Sequence, residues 1–210
     1  MKRSVITAVA ALGLAAVAPA VAQAPTVTLA IGKPGGGPQG TTTTVLFGEL
    51  VRVSGGLSNG QPNQAVELTV TPYRGESRIV SLRTDADGDF AYTHRPRIRT
   101  SYSARFGSAS SAQEPFAHVR PKVGLRVISA RRGIFRVTMA ALPQHVSHVV
   151  RFQRRVGATR WLTVRRVKVG SNLSARFRAR LPRGTQRVRI LVPQTPGYLR
   201  GLSRFVLVRR

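Results

Sequence analysis

The sequence predicts an all-β protein made of two tandem β-sandwich domains. Apolar residues recur with a period of two in short runs, and beyond the N-terminal segment they never recur at helical spacing over a useful length. Clusters of Gly, Asn, Asp, Ser and Pro separate these runs. The length that remains after the N-terminal segment fits two small domains, each able to bury a modest core.

The N-terminal segment has the pattern of a secretory signal peptide. Lys2 and Arg3 precede an uncharged run over 4–17, which is shorter than the roughly 18 to 20 residues of a membrane-spanning helix. Small residues follow the run, and cleavage after Ala22 is favoured among three sites that fit the small-x-small rule. We therefore expect residues 1–22 to be removed and the mature chain to be secreted with no transmembrane span.

The first domain is predicted over 23–119. Turn residues such as Ser54-Gly55-Gly56 and the 85–88 segment supply the positive φ angles that tight turns require. Seven short strands in about ninety residues are typical of an immunoglobulin-like sandwich. The segment 32–44, GKPGGGPQGTTTT, is predicted to be a long loop or a flexible linker. The predicted strands are 27–31, 45–53, 65–71, 78–84, 89–94, 101–106 and 115–119.

The second domain is predicted over 120–210, and it repeats the seven-strand pattern. The junction at 118–122 contains Arg120-Pro121 and leaves only a few linker residues. A strand-and-proline pattern recurs at an offset of about 86 residues, which favours duplication of one module. The predicted strands are 125–129, 134–139, 146–153, 160–169, 173–181, 186–192 and 203–208.

The charge distribution is strongly uneven. The chain has 34 Lys plus Arg and 7 Asp plus Glu, which gives a net charge of +27. All seven acids lie within 49–114, whereas 115–210 contains 23 basic residues and no acid. Such a polycation attracts nucleic acid, anionic lipid or anionic cell-wall polymer. An arginine bias of this size also arises from a GC-rich genome, so the charge alone leaves that alternative open.

Arginines alternate with apolar residues in two predicted strands of the second domain. Arg176, Arg178 and Arg180 form one set, and Arg187 and Arg189 form the other. Alternation places all five on outward faces, opposite the residues that fill the core. If the two strands are neighbours, their charges form one stripe that needs counterions or an anionic partner. Four further arginines are predicted to widen this polyanion-binding stripe: Arg154, Arg155, Arg165 and Arg166.

The aromatic residues indicate which kind of anion fits. Platforms for single-stranded nucleic acid carry aromatic side chains on the binding face, where bases stack. Phe152, Trp161 and Phe177 are instead predicted to be core residues. We therefore expect guanidinium contacts to phosphate or carboxylate groups, and no sequence-specific binding of nucleic acid.

One acidic segment invites comparison with calcium loops. Asp85, Asp87 and Asp89 place three carboxylates within five residues, which makes them a weak calcium candidate. An EF-hand loop has glycine at its sixth position and glutamate at its twelfth, whereas Gly88 is fourth and Pro96 is twelfth here. A hairpin turn is therefore the preferred interpretation.

Residues for catalysis are sparse. The chain has no Cys, which excludes thiol nucleophiles and thiolate metal sites. Neither Ser54 nor Ser203 stands in a nucleophile-elbow motif. We expect no catalytic residue, no metal site, no cofactor and no enzymatic activity. The histidines, which show no convincing ligand spacing, are His94, His118, His145 and His148.

A family resemblance rests on the segment from Thr84 to Tyr102. It reads T-D-x-x-G-x-F, followed by Pro96 and then T-x-Y. This pattern resembles the immunoglobulin-like domains of exported actinobacterial proteins. The resemblance implies a spacer or adhesive module without catalytic residues.

These features together predict an extracytoplasmic structural or interaction protein. The expected partner is an anionic cell-envelope polymer, which the arginine-rich strand faces would contact, or another extracytoplasmic protein. The alternative function is a protein-binding module in which a sheet edge accepts a strand or loops clasp a partner protein.

Overall fold

The computed structural model describes residues 25–36 and 40–210, so the predicted signal peptide lies outside the described residues. Those residues form seventeen β-strands and one short 3-10 turn, Pro143–His145, without any α-helix. The predicted all-β class is therefore confirmed. No helix in the described part of the chain is long and apolar enough to cross a membrane.

Nine strands build the N-terminal sandwich. One sheet has the order β1-β3-β6, and the other has the order β2-β9-β7-β4-β5 with the short β8 paired to β7. β2 and β9 run parallel, and every other pair in this sandwich is antiparallel. The strands are β1 Ala30–Gly32, β2 Thr42–Leu46, β3 Val51–Gly56, β4 Ala65–Pro72, β5 Arg78–Arg83, β6 Asp89–His94, β7 Thr100–Phe106, β8 Ala109–Ser110 and β9 Phe116–Arg120.

Eight strands build the C-terminal sandwich. One sheet has the order β10-β11-β14, and the other has the order β13-β12-β15 with β16 and β17 following one another along the free side of β15. The strands are β10 Lys122–Ser129, β11 Ile134–Ala140, β12 Val149–Val156, β13 Arg160–Lys168, β14 Ser174–Arg178, β15 Thr185–Val192, β16 Gly201–Leu202 and β17 Val206–Arg209.

Both sandwiches share one strand arrangement. In the N-terminal sandwich, β1, β3 and β6 form the small sheet, and β4, β5, β7 and β9 form most of the larger one. In the C-terminal sandwich, β10, β11 and β14 form the small sheet, and β12, β13, β15 and β17 take the corresponding places in the larger one. This Greek-key division is that of immunoglobulin-like domains. The repeated topology confirms the two tandem sandwiches predicted from the sequence.

Three sequence expectations in the first sandwich were wrong. The turn predicted at Ser54-Gly55-Gly56 is the end of β3, and neither glycine has a positive φ. The predicted strand 45–53 is two strands, because the chain turns after Leu46 and Gly48 has a φ of 92°. A turn there moves the chain from one sheet to the other. The predicted loop 32–44 contains the start of β2, since Thr42–Leu46 pairs with β9.

Alternating burial shows why these strands form. In β4, Val66, Leu68 and Val70 are completely or almost completely buried, while the residues between them face outward. The C-terminal core is centred on Phe135, Phe152 and Phe177, whose ring centroids lie 4.7 to 5.6 Å apart. Burying each such ring stabilises the fold by about 1.5–3 kcal/mol.

The two sandwiches meet directly. Only Pro121, which is buried, separates β9 from β10. The segment between β15 and β16 contacts the first sandwich through backbone hydrogen bonds: the Arg99 N–H donates to the Gly197 carbonyl at 3.0 Å, and the Leu199 N–H donates to the Val119 carbonyl at 2.9 Å. This joint restricts the relative orientation of the sandwiches.

Candidate polyanion-binding surfaces

The two arginine strands belong to different sheets. Arg176 and Arg178 lie exposed on β14, at the edge of the three-stranded sheet, and Phe177 between them is buried. Arg187 and Arg189 lie on β15, inside the opposite sheet. The outward alternation is confirmed, but the two strands are not neighbours, so the condition for one shared stripe is not met. The connection from β14 to β15 crosses from one sheet to the other, so the two sets face away from each other.

A row of arginines crosses the three-stranded sheet. Arg126 on β10 lies opposite Arg136 on β11, and Arg136 lies opposite Arg176 on β14. All three are exposed. Like charges placed directly opposite on neighbouring strands destabilise a sheet, so this row needs counterions or an anion. We call Arg126, Arg136 and Arg176 the arginine row.

Two members of this row, Arg126 and Arg136, were not predicted from the sequence. Arg126 and Arg136 alternate with apolar residues in the same way as Arg176, and the flanking Phe135 and Val137 are fully buried. That alternation was a usable signal for an outward position. The register that brings the three residues side by side was not visible in the sequence.

A cleft continues this basic surface at the side of the sandwich. It has a volume of about 370 Å³ and is lined by Arg165, Arg178 and Arg180 with Val164 and Ala179. Arg165 comes from β13 and Arg178 from β14, so the cleft lies where the edges of the two sheets face each other. Three guanidinium groups around one cleft form a setting for phosphate or carboxylate.

Hydrogen bonds to the backbone hold two of the cleft arginines. The Arg165 guanidinium donates to the carbonyl of Arg178, which fastens β13 to β14. Nε of Arg178 donates to the carbonyl of Arg132 at 3.1 Å. Each guanidinium keeps further N–H groups beyond these bonds.

A β-bulge explains the position of Arg165. Phe152 pairs with Arg165, but the next residue, Gln153, pairs with Thr163, so Val164 is an extra residue on β13. Arg165 therefore lies on the core side of the sheet edge, opposite the buried Phe152. Arg166 pairs with Arg151 on the outer face.

The outer face of the larger sheet forms a second basic surface. Arg189 lies opposite Gln153, and its Nε donates to the Gln153 side-chain oxygen at 3.0 Å. Partial burial, and secondarily the charge of Arg200, lower the pKa of Arg189, as expected where positive charges crowd. Arg151 also lies on this face and was not predicted from the sequence. The predicted residues on this face are Arg155, Arg166, Arg187 and Arg189.

Two residues are placed differently from the prediction. Arg154 pairs with the buried Val188, so it lies on the core side of β12, half-buried, and donates to Gln186 at 3.4 Å. Trp161 is not a core residue, because it pairs with Arg155 and lies on the outer face with the Arg189 guanidinium 3.9 Å from its ring centroid. Phe152 and Phe177 are buried as predicted.

The acidic turn predicted at 85–89 is held by hydrogen bonds of Asp85. Oδ1 of Asp85 accepts hydrogen bonds from the N–H groups of Asp87 and Asp89 at 3.0 and 2.9 Å. These bonds shape the hairpin turn between β5 and β6. No group of three His, Asp or Glu side chains that could hold a metal ion is found within 25–36 and 40–210, so the weak calcium candidate stays an untested prediction.

The four histidines lie in structural positions. Nδ1 of His94 is 2.9 Å from the Tyr102 hydroxyl, and Nε2 of His148 is 2.9 Å from the Pro143 carbonyl. The ring of His145 packs edge-on against Tyr73 across the joint, and His118 stacks on Phe116. Burial lowers the pKa of His94 to about 4 and lowers that of His118 in the same direction. The absence of enzymatic activity stays a prediction.

Comparison with known proteins gives only distant likenesses. No protein-family model and no curated protein matches the chain. The chain is similar to a tetra-tandem repeat in the extending region of a large adhesion protein, with 16% identity, a TM-score of 0.39, and coverage of 88% of this chain and 49% of that one. A Salmonella alpha-2-macroglobulin has 15% identity and a TM-score of 0.33, covering 90% of this chain and 15% of that one. The trypsin-activated alpha-2-macroglobulin from Escherichia coli has 14% identity, a TM-score of 0.33, and coverage of 88% and 16%.

Proposed function

We propose that this protein is a secreted, non-enzymatic binding module that contacts anionic cell-envelope polymers. The observation that carries the proposal is the arginine row, whose three like charges lie in register across one sheet. The row continues along β14 into the cleft of Arg165, Arg178 and Arg180. We call the row and the cleft together the β14 surface.

The charge environment supports this proposal. No acidic residue occurs within 115–210, so the β14 surface has no carboxylate of its own sandwich to pair with. The one ion pair in the described part of the chain joins Lys33 to Glu49 at 3.8 Å, in the other sandwich. Exposed arginines without an acidic partner attract multivalent anions through charge and bidentate hydrogen bonds.

The surface fits a repeating polymer better than a small ligand. The row is exposed and extends across three strands, and the cleft adds a concave end. Binding of this form depends on the number of simultaneous contacts and weakens as salt screens each of them. The proposal includes the division of the chain into two domains, 23–119 and 120–210. In it, the first domain holds the second at the joint.

The test is retention of residues 23–210 on isolated anionic envelope polymers. The variant Arg126→Gln/Arg136→Gln/Arg176→Gln removes the row without removing a hydrogen bond that the fold uses. The control, Arg52→Gln/Arg95→Gln/Arg105→Gln, removes the same charge from the N-terminal sandwich. We expect the row variant to elute at clearly lower salt than the control. Equal elution of the two variants contradicts a defined surface and favours a role for net charge alone.

A second candidate is strand addition by a partner protein. β5 is the last strand of its sheet, and Ile79 on it is 66% exposed. An exposed edge strand with an apolar side chain is suited to pairing with an extended peptide. Binding to one protein that survives high salt and is abolished by Ile79→Lys favours this function.

A further inference from the structure

Three large apolar side chains are exposed along one edge of the C-terminal sandwich. Leu202, Phe205 and Leu207 are 41%, 55% and 56% exposed. They follow one another through β16, the connection and β17, and Leu202 lies opposite Leu191 on the neighbouring strand. Single exposed apolar residues are ordinary, but a contiguous group marks a surface that binds something. We call Leu202, Phe205 and Leu207 the apolar edge.

Arginines surround the apolar edge. Arg187 lies opposite Leu207, and its guanidinium is 5.4 Å from the ring centroid of Phe205. Arg204 directly precedes Phe205, Arg209 lies two residues beyond Leu207, and both arginines are exposed. Because 115–210 contains no acid, the guanidinium groups meet no carboxylate from their own sandwich. The apolar edge thus combines exposed apolar side chains with positive charges that no neighbouring carboxylate neutralises.

Trp161 extends the same outer face. It lies two strands away from β15, and Arg189 bridges the distance, with its guanidinium over the indole ring. Aromatic and arginine side chains of this kind are the residues that occupy the boundary between water and the acyl chains of a bilayer. The outer face therefore carries residues suited to a bilayer surface at both of its sides, Trp161 on β13 and Leu207 on β17.

We propose that the apolar edge docks onto the surface of a lipid bilayer that carries anionic headgroups. A soluble polyanion would engage the arginines but would leave Leu202, Phe205 and Leu207 in water. A bilayer can contact both the arginines and the apolar side chains, because its negative headgroups lie within a few ångströms of its apolar chains. The proposal goes beyond polymer binding, since the β14 surface lies on the opposite sheet and can act independently.

The test is sedimentation of residues 23–210 with vesicles. The predicted signal peptide, residues 1–22, is left out so that its apolar run cannot itself bind lipid. Phosphatidylcholine vesicles with and without phosphatidylglycerol separate charge from apolar contact. Trp161 is the one tryptophan of the chain, so a blue shift of its emission reports its approach to the bilayer. We expect binding and a blue shift with phosphatidylglycerol and little binding without it.

Substitutions distinguish the contribution of the apolar side chains to vesicle binding from that of the arginines. Phe205→Ser/Leu207→Ser should weaken binding to anionic vesicles by about tenfold or more, because two large apolar side chains no longer leave water. Arg204→Gln/Arg209→Gln should weaken it by about fivefold per charge at low salt. Leu46→Ser/Leu50→Ser, which removes two exposed apolar side chains from the other sandwich, is the control and should bind as the unaltered chain does. Circular dichroism checks that each variant is folded.

Three outcomes overturn the proposal. They are no binding to phosphatidylglycerol vesicles at low salt, equal binding by Phe205→Ser/Leu207→Ser and the control, and vesicle binding that is lost only when the arginine row is removed. The last outcome would mean that lipid headgroups are simply another polyanion for the β14 surface. If vesicles do not bind but a soluble acidic protein does so through Phe205, the edge is a protein interface instead.

Discussion

The phenolic hydroxyl of Tyr198 in the C-terminal sandwich donates a hydrogen bond to the carbonyl of Arg97 in the N-terminal sandwich. The same oxygen accepts the N–H of Leu142 at 2.8 Å. Tyr198 is 2% exposed, and burial raises the pKa of its hydroxyl, which stays a neutral donor. One side chain therefore ties a loop of each sandwich to the joint.

Replacing Tyr198 by Phe should weaken the joint. The change leaves the Arg97 carbonyl and the Leu142 N–H without their partner, at a cost of about 1–3 kcal/mol in the free energy of unfolding. Urea denaturation measures the cost, and small-angle scattering detects a wider spread of orientations between the sandwiches. Tyr92→Phe is the control, because the Tyr92 hydroxyl accepts a hydrogen bond from the exposed Arg78 of the same sandwich. Equal stability of both variants would show that Tyr198 does not hold the joint.

Glycine at position 133 should be much harder to replace than glycine at position 157. Both have a positive φ, 63° and 65°. A Cβ at 133 would lie 2.3 Å from the carbonyl oxygen of Ala179, whereas a Cβ at 157 meets nothing within 4 Å. Gly157→Ala should therefore cost only about 1 kcal/mol of backbone strain. Gly133→Ala should cost about 1–3 kcal/mol more, because the Ala179 backbone must move.

Thermal unfolding of the two alanine variants checks this difference. Ala179 N–H donates to the Gly133 carbonyl at 2.8 Å, so displacement of this pair should also loosen the end of the strand that carries Arg178. Equal melting temperatures for the two variants would contradict the close approach.

Acid should destabilise the protein through His94. Burial, and secondarily the charge of Arg78, lower its pKa from 6.5 to about 4 in the folded state. The unfolded chain binds the proton first, so the stability contributed by neutral His94 is complete above about pH 6.5 and is lost as the pH falls toward about 4. Because the ring is only partly buried, the loss after solvent screening is about 1–2 kcal/mol.

Denaturation curves across this pH range test the linkage. His94→Gln should flatten most of the dependence while keeping a polar group beside the Tyr102 hydroxyl. His118→Gln should remove a smaller part, since burial lowers its pKa in the same direction. An unaltered chain whose stability does not change between pH 6.5 and 4 would contradict the buried, neutral His94.

The strands were predictable because a period of two directly sets which side chains face the core. β6, for example, has the bounds 89–94 that the alternation indicated. Local turns were harder to recognise. The strand predicted over 45–53 contains Gly48, whose positive φ breaks it, but apolar residues continue on both sides and hide the break.

It was harder to predict from the sequence which strands lie in the same sheet and which face of it a residue occupies. Arg176 and Arg187 both alternate outward, yet alternation does not say which sheet a strand joins. Trp161 shows a second cause. Without a bulge it would share a face with the buried Val167, and the extra residue Val164 turns it to the outer face instead.

The most direct test of the β14 surface is the salt dependence of binding to inorganic polyphosphate, measured by titration of residues 23–210. The slope of log K against log salt is negative, and each lost phosphate contact should make it less negative by about 0.7. The variant Arg126→Gln/Arg136→Gln/Arg176→Gln should therefore show a slope that is less negative by about 2 than that of the unaltered chain. Arg52→Gln/Arg95→Gln/Arg105→Gln should leave the slope nearly unchanged. Identical slopes for the two triple variants would contradict a polyanion-binding surface on the C-terminal sandwich.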